Sequence, residues 1–236
     1  MSRTLFISDL HLDASRPRIT GALADFLKRS TDCDALYILG DIFEVWVGDD
    51  DDSALAAEIA ALFRDFTAAG PSLYLMVGNR DFLLGKDFCA AVGAILLPDP
   101  TLIDLYGTPT LLMHGDSLCT ADEEYMGFRA TARNPDWQAQ LMSQSIGERR
   151  ALAAQLRSMS AESNSNKAED IMDVTPSEVD REMAEAGVTQ MIHGHTHRPA
   201  RHKHAQGVRW VLGDWGPKLW YIEADDSTIN LINTDI

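Results

Sequence analysis

Five short segments carry side chains of the kind that bind metals or phosphate: Asp9-Leu10-His11, Gly40-Asp41, Gly78-Asn79-Arg80-Asp81, His114-Gly115-Asp116 and Gly194-His195-Thr196-His197. The candidate ligands among them are four imidazoles (His11, His114, His195, His197), two carboxylates (Asp9, Asp41) and one amide (Asn79). A nitrogen and oxygen donor set with no thiolate suits Mn²⁺, Fe²⁺, Zn²⁺ or Co²⁺ better than Mg²⁺. The seven donors suffice for two ions if one carboxylate bridges. Two ions about 3.5–4 Å apart can activate a hydroxide and stabilise the oxygens of an in-line displacement at phosphorus. The chemistry implied is metal-dependent hydrolysis of a phosphoester or phosphoanhydride.

Each segment follows a run rich in β-branched and large apolar residues, and those runs read as strands: Thr4 to Ser8, Ala35 to Leu39, Leu73 to Val77, Thr110 to Met113 and Thr189 to Ile192. In α/β sheets ligands collect beyond the carboxyl ends of strands, so segments almost 190 residues apart can meet. Asp9 with His11, and His195 with His197, are two apart, which in extended backbone puts both side chains on one face. The glycines at 40, 78, 115 and 194 permit close backbone approach at these exits.

Amphipathic stretches alternate with the strands. Thr20 to Lys28 and Ser53 to Phe66 are predicted helices, the second with Ser53 as N-cap. Leu102 to Tyr106 and a Tyr106-Gly107-Thr108-Pro109 turn read as half of a hairpin, and strands at Arg209 to Leu212, Trp220 to Glu223 and Ile229 to Ile232 add antiparallel character. The class is α/β with α+β character, a mixed sheet in two layers. Residues 1–236 read as one domain, within which 121–167 reads as an inserted helical subdomain. Its six basic and six acidic residues cancel. The stripe Leu152, Leu156, Met159 reads as core on its pattern.

The chain has 20 basic and 36 acidic residues, a formal charge of −16, which opposes wrapping of duplex nucleic acid. No apolar run approaches the roughly 20 residues of a transmembrane helix, and the acidic Asp9 interrupts any signal-peptide core, so a cytoplasmic protein is expected. Three well-separated cysteines, Cys33, Cys89 and Cys119, read as reduced and buried. Asp49 to Asp52 reads as a solvated helix N-terminus. His193, His202 and His204 read as structural or solvated, and Asp81 and Asp116 either orient ligand imidazoles or stabilise turns.

The ordered series Asp-x-His, Gly-Asp, Gly-Asn-x-Asp, His-Gly and Gly-His-x-His, from residue 9 to 197, resembles the calcineurin-like metallophosphoesterase superfamily. The resemblance implies a β-sandwich flanked by helices. It assigns Asp9, His11, Asp41 and His197 to one metal ion and Asp41, Asn79, His114 and His195 to a second, with Asp41 bridging. Arg80 departs from the pattern, because most relatives carry His there. A guanidinium keeps its proton but can clamp phosphate oxygens with two parallel bonds, so charge stabilisation replaces proton transfer at this position.

Arg80 in its block, with Gly40 to Trp46, His114 to Thr120, Asp170 to Val174 and Gly194 to Ala200, is similar to one subfamily, pyrophosphohydrolases of Gram-negative lipid A synthesis. That similarity implies two Mn²⁺ ions per chain and water attack on the α-phosphate of a UDP-linked diacylated glucosamine lipid, releasing UMP. Catalytic roles fall to Asp41, Asn79, Arg80, His114 and His195, and substrate contacts to Asn79, Arg80, Asp122, Ser160, Asn164, Lys167 and His195. The helical insertion is expected to act as a lipid-gripping lid, with Trp46, Phe82, Leu84, Tyr125, Phe128, Leu156, Ile171 and Met172 as lining. A lipid substrate implies transient contact with the inner-membrane surface, with no nucleic acid and no protein partner expected. A nuclease is opposed by the charge, a protein phosphatase by Arg80, and a noncatalytic scaffold by the complete donor set.

Overall fold

The structure, a computed structural model, describes residues 2–165 and 171–236, and for residues 160–165 the helical backbone alone. Strands β1 (Thr4–Ile7), β2 (Ala35–Leu39), β3 (Ser72–Met76) and β4 (Ala94–Leu97) run parallel. The antiparallel strands β10 (Lys218–Ala224) and β11 (Ile229–Asp235) extend them into a six-stranded sheet, β11-β10-β1-β2-β3-β4. A second sheet, β5-β6-β7-β9-β8, holds β5 (Thr101–Leu105), β6 (Thr108–Met113), β7 (Gln190–His193), β8 (Ala200–Lys203) and β9 (Val208–Val211). In it β6, β7 and β9 are parallel.

Period-2 alternation sorts the core into layers. In β1, Phe6 faces the second sheet and packs in a cluster with Leu112, Ile192 and Leu212, while Leu5 and Ile7 face the helices. Helices α1 (Pro17–Arg29), α2 (Ala54–Ala68) and α3 (Lys86–Ala91) cover that outer face through Leu23, Phe63 and Phe88. On the far side, Leu111, Met113 and Met191 pack with Val179 and Met183 of α7 (Pro176–Ala186). Two sheets face to face between helices are the sandwich expected from the resemblance. Ser53 Oγ accepts from Ala56 N at 3.1 Å, so the expected N-cap of α2 is present.

Parallel β6 and β7 require a crossover, and it contains α4 (Glu123–Ala132), α5 (Pro135–Met142) and α6 (Ile146–Ser165) before α7. The stretch predicted to be helical throughout is three helices separated by short breaks. Asn134 and Pro135 start the second, Asn134 Oδ1 accepting from Asp136 N at 2.8 Å and Trp137 N at 3.1 Å. Sequence reading passed over β4, β8, α3 and α7. The edge strand β8 is Ala-Arg-His-Lys, whose charged side chains suit an exposed edge but hide the strand pattern.

The reading of Asp49 to Asp52 as a solvated helix start is corrected by their contacts. Asp49 accepts from Trp46 Nε1 at 3.2 Å, Gly85 N at 2.8 Å and Phe88 N at 2.9 Å, so it caps α3, a helix distant in sequence. Asp50 pairs with Arg149, and Asp51 and Asp52 pair with Arg150, tying this loop to α6. All three cysteines are free and buried.

His193 is fully buried at the end of β7. Its Nε2 accepts from Arg209 Nη1 at 3.0 Å, so the ring is neutral and its Nδ1–H donates to Gly194 O at 2.8 Å. Burial, and then the Arg209 charge, push its pKa down to about 3. The unfolded chain therefore binds more protons than the folded one between the ordinary histidine value and about 3, and stability falls as pH drops through that window. Urea unfolding from pH 7 to pH 4 should show wild type losing stability faster than His193→Gln, by up to about 1.4 kcal/mol per pH unit. Parallel pH profiles would refute a buried neutral imidazole.

Candidate metal centre

The loops leaving β1, β2, β3, β6 and β7 meet at one end of the sandwich. They bring together Asp9 and His11, Asp41, Asn79, His114, and His195 with His197. Two groups have ligand atoms close enough to share an ion: Asp9, His11 and His197, and Asp41, His114 and His195. Asn79 joins the second, its Oδ1 lying 3.0 Å from His114 Nε2 and 2.9 Å from His195 Nδ1. Asp41 stands between them, with Oδ2 3.9 Å from His11 Nε2 and Oδ1 3.7 Å from His114 Nε2.

The way the paired residues converge differs from the expectation. Asp9, His11, Asp41, His195 and His197 all have positive φ, from 48° to 66°, so their backbones are left-handed rather than extended. Such conformations cost non-glycine residues of order 1–3 kcal/mol each and persist only where the surroundings over-determine them. Here backbone bonds hold them: Asp9 N to Gly40 O at 3.1 Å, His11 N to Asp41 O at 3.0 Å and Trp215 N to Asp9 O at 3.1 Å. Two glycines are required by close approach. A Cβ on Gly78 would collide with Asp41 Oδ1, and one on Gly194 with Asp9 Oδ2.

The donor set fits divalent ions. Asp9 and His114 are fully buried and Asp41 is 2% exposed, yet Asp9 Oδ1 has no hydrogen-bond partner. His11 Nε2 and His197 Nε2 face each other at 3.1 Å, two ring nitrogens aimed at one point. His114 Nδ1 is 2.9 Å from Leu39 O, which fixes the proton there and frees Nε2 as a lone pair. Burial drives the His114 pKa down, but the carboxylates of Asp41, Asp116 and Asp9 carry it up to about 9. Burial likewise raises the Asp9 carboxyl, and the His197 imidazole, its Nε2 3.4 Å from Oδ1, together with neighbouring imidazolium charge outweighs it, leaving Asp9 below the usual range. Protons thus answer a negative field that a metal cation would answer instead.

Asp81 is the organiser of two of these loops. Its carboxylate accepts from Gly78 N and Ile42 N, both at 2.6 Å, and from Asp41 N at 3.3 Å and Phe43 N at 3.4 Å. Asp116 instead accepts from Tyr125 Oη at 2.6 Å and Arg129 Nε at 2.9 Å, anchoring α4 beside the cluster. Glu44 was missed as a site residue. It lies 2.9 Å from His11 Nδ1 and pairs with Arg157 of α6, and the only sequence signal was its place three residues after Asp41.

Two cavities open from the cluster. The first is lined by His11, Asp41, Asn79, Arg80, Asp122 and His195 among others. Asp122 there also caps α4, its Oδ1 accepting from Tyr125 N at 3.0 Å. The second, mostly apolar, shares Asn79, Arg80 and Tyr125 with the first. It is walled by Trp46, Phe82, Phe128, Leu152, Leu156 and Met159. The α6 stripe therefore faces a cavity instead of the core. Of the expected lining, Leu84 is in the core, Met172 lines the first cavity, and Ile171 lines neither and is 38% exposed. Ser160 and Asn164 fall on the backbone of α6 and their side chains, like all of Lys167, lie outside the described residues.

A fold of two sheets between helices, with this donor cluster at the strand ends, defines a phosphoesterase class. The family model described as calcineurin-like phosphoesterase matches residues 2–199, and the chain belongs to that family. The curated relatives are more specific. The chain is 56% identical over 238 residues to UDP-2,3-diacylglucosamine hydrolase of Cellvibrio japonicus (strain Ueda107), covering 99% of both. It is 56% identical over 226 residues to UDP-2,3-diacylglucosamine hydrolase of Marinobacter nauticus (strain ATCC 700491 / DSM 11845 / VT8), covering 94% of this chain and 93% of that one. A solved structure titled as a novel archaeal phosphodiesterase shares the fold, with a TM-score of 0.51 at 11% identity over 98% of this chain and 99% of that one.

Removing the Asp81 carboxylate leaves four backbone N–H groups without their acceptor. Asp81→Ala should lower unfolding free energy by about 1–3 kcal/mol and reduce the divalent metal retained through gel filtration, measured by elemental analysis. Wild-type metal content in a folded Asp81→Ala protein would refute its organising role.

Proposed function

We propose that this chain hydrolyses the pyrophosphate of UDP-2,3-diacylglucosamine to UMP and 2,3-diacylglucosamine 1-phosphate, with two Mn²⁺ ions, in lipid A biosynthesis. The observation that carries this reading is the junction at Asn79, Arg80 and Tyr125, where a metal-type cluster opens directly into an apolar cavity. A phosphate on one side and an acyl chain on the other is what that junction accommodates. The names of the relatives point to the same substrate.

In this reading Asp9, His11, Asp41 and His197 hold one ion, and Asp41, Asn79, His114 and His195 the other. The ions supply an activated water and neutralise charge developing on the phosphate oxygens. The protein's own part is positioning. Asp41 is held in place by Arg80 N, which donates to its Oδ1 at 2.8 Å. The Arg80 side chain lines both cavities, and its buried Nε has no hydrogen-bond partner, which leaves a donor for the pyrophosphate. Asp122, Ser160, Asn164 and Lys167 contact the glucosamine and its phosphate, and residues 121–167 act as a lid over the acyl chains. No helix among the described residues is long and apolar enough to cross a membrane. Exposed Met142 and Met159 on the lid helices and Ile171 beyond them provide apolar contact for a transient visit to the cytoplasmic face of the inner membrane.

Incubating the Mn²⁺-loaded protein with the acylated UDP-sugar should release UMP. Hydrolysis of bis-p-nitrophenyl phosphate without UMP release would favour a different phosphodiesterase. Arg80→Ala should lower kcat by about two to three decades, as expected for a lost charge-stabilising donor, with manganese content unchanged. Loss of metal in that variant would contradict a phosphate-facing role.

The lid reading is tested at Leu156. Leu156→Gln should raise KM for long-chain substrate several-fold while a short-chain analogue is turned over as before. Equal behaviour toward both lengths would exclude the α6 stripe from acyl recognition.

A further inference from the structure

We propose that a third cavity, beyond Thr196 and Arg198, is the subsite for the nucleotide half of the substrate, an inference that rests on the reaction proposed above. The three cavities adjoin in series. The apolar one meets the metal-side one at Asn79, Arg80 and Tyr125, and the metal-side one meets the third at Thr196 and Arg198. A molecule whose scissile phosphate lies at the cluster and whose acyl chains fill the apolar cavity must send its other end away from them. The third cavity is the recess that opens on that side.

Its chemistry fits a pyrimidine nucleoside monophosphate. In a chain of net charge −16, Arg198, His202 and Arg209 gather on one wall. Arg209 is 6% exposed and held rigid, its Nε bonded to His204 Nε2 at 3.1 Å and its Nη1 to His193 Nε2 at 3.0 Å, with no hydrogen bond on Nη2 among the described residues. Asp173, on the same wall, accepts from Arg198 Nη1 at 2.7 Å and can accept further from ribose hydroxyls. Thr196 Oγ1, at the boundary of the two polar cavities, is buried without a hydrogen-bond partner. A ligand oxygen there removes the cost of that unpaired hydroxyl. Pro199 and Ala200, both partly exposed, supply an apolar surface for a planar base, whose carbonyl oxygens accept from guanidinium or imidazole donors.

The test uses the Mn²⁺-loaded protein with bis-p-nitrophenyl phosphate as reporter and three inhibitors: UMP, inorganic phosphate and 2,3-diacylglucosamine 1-phosphate. UMP should inhibit wild type at least about tenfold more strongly than inorganic phosphate. His202→Ala should raise the UMP inhibition constant by about tenfold and leave those of the other two within about twofold; Arg198→Lys, read in the same way, replaces it if that protein does not fold. Equal inhibition by UMP and inorganic phosphate would reduce the cavity to a general anion site and overturn the proposal, as would a parallel rise for all three inhibitors. UMP release from the acylated UDP-sugar without UMP-specific inhibition sinks this subsite and spares the reaction; specific inhibition without release does the reverse.

Discussion

The constraint on which the structure depends is buried negative charge. Asp9 and Asp41 lie almost wholly out of solvent, at the ends of neighbouring parallel strands. An isolated buried carboxylate is far too costly to persist, so the pair commits the surrounding loops to supplying cations or polar donors. Four imidazoles, Asn79 and a shell of backbone N–H groups answer it. Five backbones are held left-handed to do so. The strain and the burial have the same origin: ligand atoms from separate loops must converge on one spot at the strand exits, and left-handed backbone turns them there.

The same logic organises the helices between β6 and β7. Their arginines are turned toward acidic loops of the sandwich: Arg129 to Asp116, Arg149 to Asp50, Arg150 to Asp51 and Asp52, and Arg157 to Glu44. Exposed pairs of this kind contribute about 0–1 kcal/mol each, but Arg149 is 3% exposed and also donates to Val47 O, so its position is fixed by more than one bond. Glu44 is the most consequential of these partners. It touches His11 on one side and α6 on the other, so the orientation of one ligand candidate is mechanically joined to a wall of the apolar cavity. Asp116 does the same for Tyr125, whose ring lies 5.8 Å from that of His195.

How much of this was legible follows from which signals are local. The apolar runs before each motif gave β1, β2, β3, β6 and β7 within one or two residues, because strands buried on both faces read as continuous apolar stretches. The donor residues were legible because their types are expensive at strand ends unless used. What stayed hidden depends on partners distant in sequence. Asp49 caps α3 across 36 residues of chain, and no local pattern distinguishes that from a solvated run. The Leu152, Leu156, Met159 stripe has the same period whether it faces a core or a cavity. The left-handed backbone at Asp9 and His11 was likewise invisible, because spacing by two suits an extended segment equally well.

The arrangement of cavities limits which phosphoesters suit the cluster. A monophosphate would leave the apolar cavity filled with water against Trp46, Phe82 and Phe128, which is unfavourable and adds nothing at the metal side. A polynucleotide would meet a chain of net charge −16, which repels a polyanion. A molecule with an apolar end beside its phosphate uses Arg80 and the apolar wall at once, and binding energy from the remote acyl chains can hold the phosphorus in line with the attacking water. In the proposed reaction specificity then arises from the adjoining apolar wall more than from the donor cluster.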